Sequence, residues 1–175
     1  MGLVSAYTVI RALALFHLTV AVLFLRNPRS VAEHNIVLLM QEAMQLPTPR
    51  EFLKPTALTA FVSVLLAFHA ISDLATFYLS EDLLEMYWGT QVPIRLTFLF
   101  ALTGYSYAFK PDGMFVSSGR KYTVNKGDLL KNSVVFTFGF LELATWFWIF
   151  LALRDERRER RINLLKKREA EARRM

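Results

Sequence analysis

Polar residues are scarce in four segments of the chain and crowd between them. Residues 7–25, 56–79, 93–109 and 133–153 are apolar stretches of 19, 24, 17 and 21 residues. A helix needs about 20 residues to cross a hydrocarbon core of ~30 Å. Lipid offers no hydrogen-bond partners, so a spanning segment must satisfy its own backbone as an α-helix. The pattern therefore predicts an all-α fold, a four-helix transmembrane bundle, with the third span at the short end. Helices of a soluble bundle would carry polar outer faces, and these do not.

Between the spans the pattern changes period. Ile36–Leu46 is apolar over only 11 residues, too short to span. Ile36, Leu39, Met40 and Ala43 fall on one helical face, which predicts an interfacial helix at 36–46 packed on the bundle. Pro47 and Pro49 end it, because proline lacks the N–H and restrains its predecessor. Ser80 is placed to cap a short acidic turn with Glu81 and Asp82 at its positive end. Tyr87 and Trp88 then suit the headgroup layer. Turn signals within Lys110–Asn132 predict a small hairpin.

Composition sharpens this picture. The chain is 54% hydrophobic with 15 Phe in 175 residues, more apolar surface than a domain of this size can hide. The absence of Cys excludes disulfides, Cys-ligated zinc, iron–sulfur clusters and Cys nucleophiles. The net charge of +6 is unevenly placed. From Arg154 onward, ten Lys/Arg face five acids, so this segment carries +5 and the preceding 153 residues +1. The domain reading is a membrane unit at 1–153 and a charged helical tail at 154–175. Without Gly or Pro, the tail continues the fourth span as a solvated helix, with Glu156–Arg160 and Glu169–Arg173 at i,i+4 spacing. A basic tail can serve nucleic acid, but one that follows an apolar aromatic span belongs at a membrane. Arg154, Arg157, Arg158, Arg160, Arg161, Lys166, Lys167 and Arg168 are thus candidate contacts for a partner or for anionic lipid, with no nucleic acid expected.

Topology is only weakly encoded. The segment before the first span has no basic residue, and Arg11 lies inside the span, so an uncleaved signal anchor is expected. With four spans, ten Lys/Arg lie on the tail side and nine on the other. The densest cluster directly follows a span, which places the tail in the cytosol.

Six ionisable residues lie in or beside the spans: Arg11, His17, His69, Asp73, Arg95 and Glu142. Each costs a few kcal/mol at mid-bilayer without a partner, a cavity or a shallow depth. Arg11 and Arg95 are near span ends and can snorkel. His69 and Asp73 share a helix face at i,i+4. A hairpin of the second and third spans would bring Asp73 and Arg95 to the same depth as an ion pair. Glu142, the tenth residue of its span, must stay protonated or accept from His17 or His69. The residues read first as a structural cluster that keys the bundle. A second reading is a lipid-modifying enzyme or lipid-binding cavity using His17, His69, Asp73 and Glu142. The chain contains no HExxH, GxSxG, DxD or His-box pattern. No catalytic residue, metal ligand or cofactor is therefore assigned.

The order of short motifs carries a resemblance. An Arg lies in the apolar first span, followed by Gln41–Pro47 (QEAMQLP) and Ser72–Leu74 (SDL). Val92–Leu96 (VPIRL) opens the third span and Thr103–Tyr107 (TGYSY) closes it. Leu141–Leu143 (LEL) lies in the last span, before a charged helix. Over residues 7–160 the chain resembles the fungal increased-loss-of-mitochondrial-DNA family of small multi-pass membrane proteins. The resemblance implies an endoplasmic reticulum membrane protein that supports mitochondrial genome maintenance indirectly, through lipid supply or contact sites. It points to a non-enzymatic scaffold or accessory subunit of a lipid-handling complex, with membrane lipids and a larger membrane protein as partners.

Overall fold

The structure, a computed structural model, describes residues 5–109 and 126–173. The described residues are mostly helical. The helices are α1 (Ala6–Arg26), α2 (Pro28–Ala32), α3 (Asn35–Met44), α4 (Ala57–Ala75), α5 (Glu81–Ala108) and α6 (Ser133–Ala172). Short 3-10 segments lie at Arg50–Leu53, Thr76–Tyr78 and Lys126–Leu130. The hairpin expected within Lys110–Asn132 falls largely outside the described residues.

Local chemistry sets the helix ends. Asn27 ends α1, and Pro28 starts α2 at a first-turn position where no N–H is needed. Thr56 and Thr59 form a reciprocal capping box at the start of α4. Asn132 accepts from the Val135 N–H at 2.9 Å and donates to the Leu129 carbonyl at 2.8 Å, capping α6. The α3 helix stops before the prolines. Gln45 adopts φ 52° and ψ 48°, and the Gln45 and Leu46 amides return to the Glu42 and Gln41 carbonyls. That is a left-handed C-terminal cap with Gln in place of the usual Gly.

Among the described residues, three helices are long and apolar enough to cross a membrane: α1, α4 with its 3-10 extension to Tyr78, and α6. At most 39% of any of these apolar windows is buried within the protein. The outward residues, such as Leu15, Phe16, Phe61, Phe68, Phe147 and Trp148, are themselves apolar. The third predicted span differs. It is the second half of the single 28-residue helix α5, which absorbs the acidic turn and passes through Pro93. Arg95, Thr103 and Ser106 make this half more polar than the other spans. Ser80 stands at the N-cap, but its hydroxyl makes no capping bond. Trp88 also does not face outward. It is fully buried and stacked on Trp146 at 5.6 Å.

Small residues let the helices approach. Ala14 and Ala21 of α1 and Ser63 and Ala70 of α4 are buried, and Ser63 donates to the Ala21 carbonyl at 2.5 Å. Gly139 of α6 lies against Thr103 of α5, where a side chain would collide with the Thr103 hydroxyl. The α1–α4 and α5–α6 pairs join through α1 and α6. Their core holds Ile10, Leu13, Trp88, Val92, Trp146 and Ile149. A second cluster, Phe24, Ala32, Val37 and Val134, fixes α2 and α3 at the other end. In α3, Val37 is buried and Met40, Gln41 and Met44 are half-buried. Ile36, Leu39 and Ala43, expected on the packed face, point outward.

Candidate functional site

Four helices converge on one polar cluster. Asp73 of α4 is 2% exposed, and both its oxygens accept from Arg95 of α5, Oδ2 from Nη1 at 2.7 Å and Oδ1 from Nη2 at 2.6 Å. This bidentate geometry matches a planar guanidinium to a planar carboxylate. His69, one turn before Asp73, brings Nε2 within 3.6 Å of Oδ2. The Arg95 guanidinium also lies over the rings of Trp146, at 4.6 Å, and Trp88, at 5.2 Å. Aromatic faces stabilise a desolvated cation in this way.

Glu142 of α6 is 5% exposed and likewise fully engaged. Its Oε1 shares a hydrogen bond of 2.7 Å with His17 Nε2 of α1, and its Oε2 accepts from Trp146 Nε1 at 2.9 Å. His17 and His69 pack with ring centroids 5.8 Å apart. The contacts close a ring: Asp73, Arg95, Trp146, Glu142, His17, His69 and back to Asp73. Each of α1, α4, α5 and α6 contributes at least one member. His17 Nδ1 is buried without a hydrogen-bond partner. Among the described residues, no three His, Asp or Glu side chains are placed to hold a metal ion.

The ring takes in five of the six intramembrane candidates. Arg11 stands apart, exposed on α1 with its guanidinium 4.4 Å from the centre of the Phe77 ring. One member, Trp146, was not singled out from sequence, and Trp88, which lies under Arg95 beside the ring, was read only as a headgroup residue. Trp146 was legible in principle, since it lies at i,i+4 from Glu142. Trp88 joins only through tertiary packing.

The tail divides into three parts. Near its start it is clamped to the bundle. Arg157 Nη2 donates to the Glu85 carbonyl at 2.6 Å, and Arg157 and Arg160 pair with the Glu85 carboxylate at 3.1 and 2.9 Å. The Glu156 carboxylate accepts from the Ala6 N–H at 2.8 Å, at the N-terminus of α1. Glu156 and Arg160 therefore reach to other helices instead of forming the expected i,i+4 pair with each other. Gly89 makes the clamp possible, because a side chain there would strike the Arg157 guanidinium. Arg154, Arg158 and Arg161 line a groove of about 600 Å³ between α5 and α6. Lys166, Lys167 and Arg168 are exposed on the last turns.

No solved structure matches this chain. A curated relative, Protein ilm1 of Schizosaccharomyces pombe, is 32% identical over 155 residues, covering 84% of this chain and 82% of the relative. Residues 4–162 match the family described as increased loss of mitochondrial DNA protein 1. With most of its length accounted for, including the helices that build the polar ring, the chain belongs to the increased loss of mitochondrial DNA protein 1 family.

Proposed function

We propose that this protein is a non-enzymatic membrane scaffold or accessory subunit of a lipid-handling complex. In this reading it is a four-span protein of the endoplasmic reticulum with a cytosolic tail, an interfacial α3, and an indirect role in mitochondrial genome maintenance. One observation carries the proposal: both oxygens of each of the two buried carboxylates, Asp73 and Glu142, accept hydrogen bonds, and each carboxylate is bound by a side chain of another helix. Asp73 spends both oxygens on Arg95, and Glu142 spends both on His17 and Trp146. Carboxylates whose every oxygen already accepts a bond within the bundle are suited to locking helix register. The α5 half from Pro93 onward runs beside α6 at the same depth, which supports a fourth span despite its polarity. Its Arg95 is neutralised by Asp73, and its Thr103 and Ser106 are buried. The outward apolar face of α3, with Ile36 and Leu39, supports its lying in the interface.

Affinity purification in a gentle detergent, followed by protein and lipid mass spectrometry, tests the reading. A stoichiometric larger membrane partner is expected. A retained lipid with no partner would favour the alternative, a lipid-modifying enzyme or lipid-binding cavity protein.

A further inference from the structure

The ring is closed upon itself, whereas the groove where the tail leaves the bundle is open and chemically divided. Its lower wall is apolar, with Val92 and Pro93 from α5 and Phe150 and Leu153 from α6. Its upper wall carries Arg154, Arg158 and Arg161, with the Glu85-bound Arg157 among them and Ile162 and Leu165 at the far end. Arg154, Arg158 and Arg161 lie at i, i+4 and i+7, on one face of α6. Among the described residues none of them has a carboxylate within ion-pair distance, while Arg157 and Arg160 are held by Glu85. Two of the nearby acids turn the other way. Glu156 and Glu159 border a separate depression with Ser5 and Tyr7 at the start of α1. Asp155 is exposed and lines neither cavity. At this level α6 is thus cationic toward the groove, while toward α1 it presents Glu156 and Glu159 together with Arg160.

We propose that this groove binds an anionic phospholipid. The headgroup phosphate sits on Arg154, Arg158 and Arg161, and an acyl chain runs along Val92, Pro93 and Phe150. Two features select this occupant. Guanidinium groups match phosphate oxygens with paired N–H donors. The change from apolar to basic wall falls at Leu153 and Arg154, where α6 leaves its apolar stretch, so the groove is divided as a lipid is. A soluble anion would leave the lower wall uncovered. This inference rests on the membrane placement of α5 and α6 proposed above, and it adds the ligand class.

The test uses the full-length protein in nanodiscs of phosphatidylcholine and phosphatidylserine at about 4:1, with retained lipid counted by native mass spectrometry. Wild type is expected to retain phosphatidylserine over phosphatidylcholine in a ratio about tenfold above the bulk ratio, if three guanidinium groups act together on one phosphate. The triple variant Arg154→Gln, Arg158→Gln, Arg161→Gln is expected to lose this preference. The triple variant Lys166→Gln, Lys167→Gln, Arg168→Gln removes the same charge beyond the groove and is expected to keep it. All six positions are exposed or solvent-facing, so both variants should fold. Equal loss in both variants would mean diffuse tail attraction and overturn the site. Displacement by inorganic phosphate or glycerophosphoserine would overturn the lipid assignment in favour of a soluble anion, and displacement by an acidic peptide would do so in favour of a protein ligand. Absence of preference in wild type overturns the proposal outright. A partner found by affinity purification together with no lipid preference would remove this inference and leave the scaffold reading standing. A lipid preference with no partner would do the reverse.

Discussion

Arg95 grips Asp73 through two hydrogen bonds of 2.6 and 2.7 Å, across 22 residues of sequence and from one helix to the next. The carboxylate is buried, and the guanidinium is roofed by two tryptophans. Removing one partner of such a pair leaves an uncompensated buried charge. Arg95→Ala is expected to destabilise by about 3–5 kcal/mol, read as a lower melting temperature in detergent and lower abundance. The double variant Asp73→Leu with Arg95→Leu should recover part of that loss, since no charge is then stranded. A double variant as unstable as the sum of its singles would show the two residues to be uncoupled.

Glu142 separates the scaffold reading from the enzymatic one. In Glu142→Gln the amide oxygen can still accept from Trp146, and the amide nitrogen can donate to a ring nitrogen of His17. A cost of about 1 kcal/mol is expected, with complementation of a deletion strain retained. Glu142→Leu strands both His17 and Trp146, at about 1–3 kcal/mol for each orphaned group. If the Gln variant keeps wild-type abundance but loses all function, the carboxyl group has a chemical role and the scaffold reading fails.

The tail clamp should be local in its effect. Glu85→Ala releases Arg160 and leaves Arg157 only its bond to the backbone carbonyl of residue 85, and both arginines are partly exposed, so global stability should change by about 1 kcal/mol or less. Limited trypsin digestion should nonetheless speed up at Arg157 and Arg160, because the helix there loses its carboxylate anchor on α5. Unchanged cleavage rates would show that Glu85 does not hold the tail.

Close approach of α5 and α6 depends on Gly139. A side chain there meets the Thr103 hydroxyl, so Gly139→Val is expected to cost about 1–3 kcal/mol through overpacking. Adding Thr103→Ala should restore part of the melting temperature by vacating that volume. Lack of any rescue would place the strain elsewhere.

The limits of sequence reading follow from the range of the forces involved. Helices α1, α4 and α6 were legible because hydrophobic length is a local property, readable window by window. The unbroken tail helix was legible for the same reason, as no Gly or Pro interrupts it. The fate of Pro93 was not legible. Proline is compatible with either a boundary or a tolerated place inside a helix, and only packing of α5 along α6 decided for the interior. Which face of α3 packs on the bundle was not legible, because Val37, Gln41 and Met44 turn toward neighbours that no local period encodes. Trp88 was placed at the headgroups from composition alone, yet it stacks on Trp146 beneath Arg95.

By itself, the sequence determined an all-helical chain with membrane-compatible segments, a basic end, and a short set of ionisable residues that had to find partners. It also placed Asp73 and Arg95 at matching depth, since a helical hairpin relates depth to distance from the turn. Tertiary structure alone decided that Glu142 pairs with His17 and Trp146 and that two tryptophans roof Arg95. It alone decided which tail arginines are spent on Glu85 and which face an open groove. The physical reason is that burial costs are set residue by residue, whereas the partner that offsets each cost is chosen by the rotation of one helix against another.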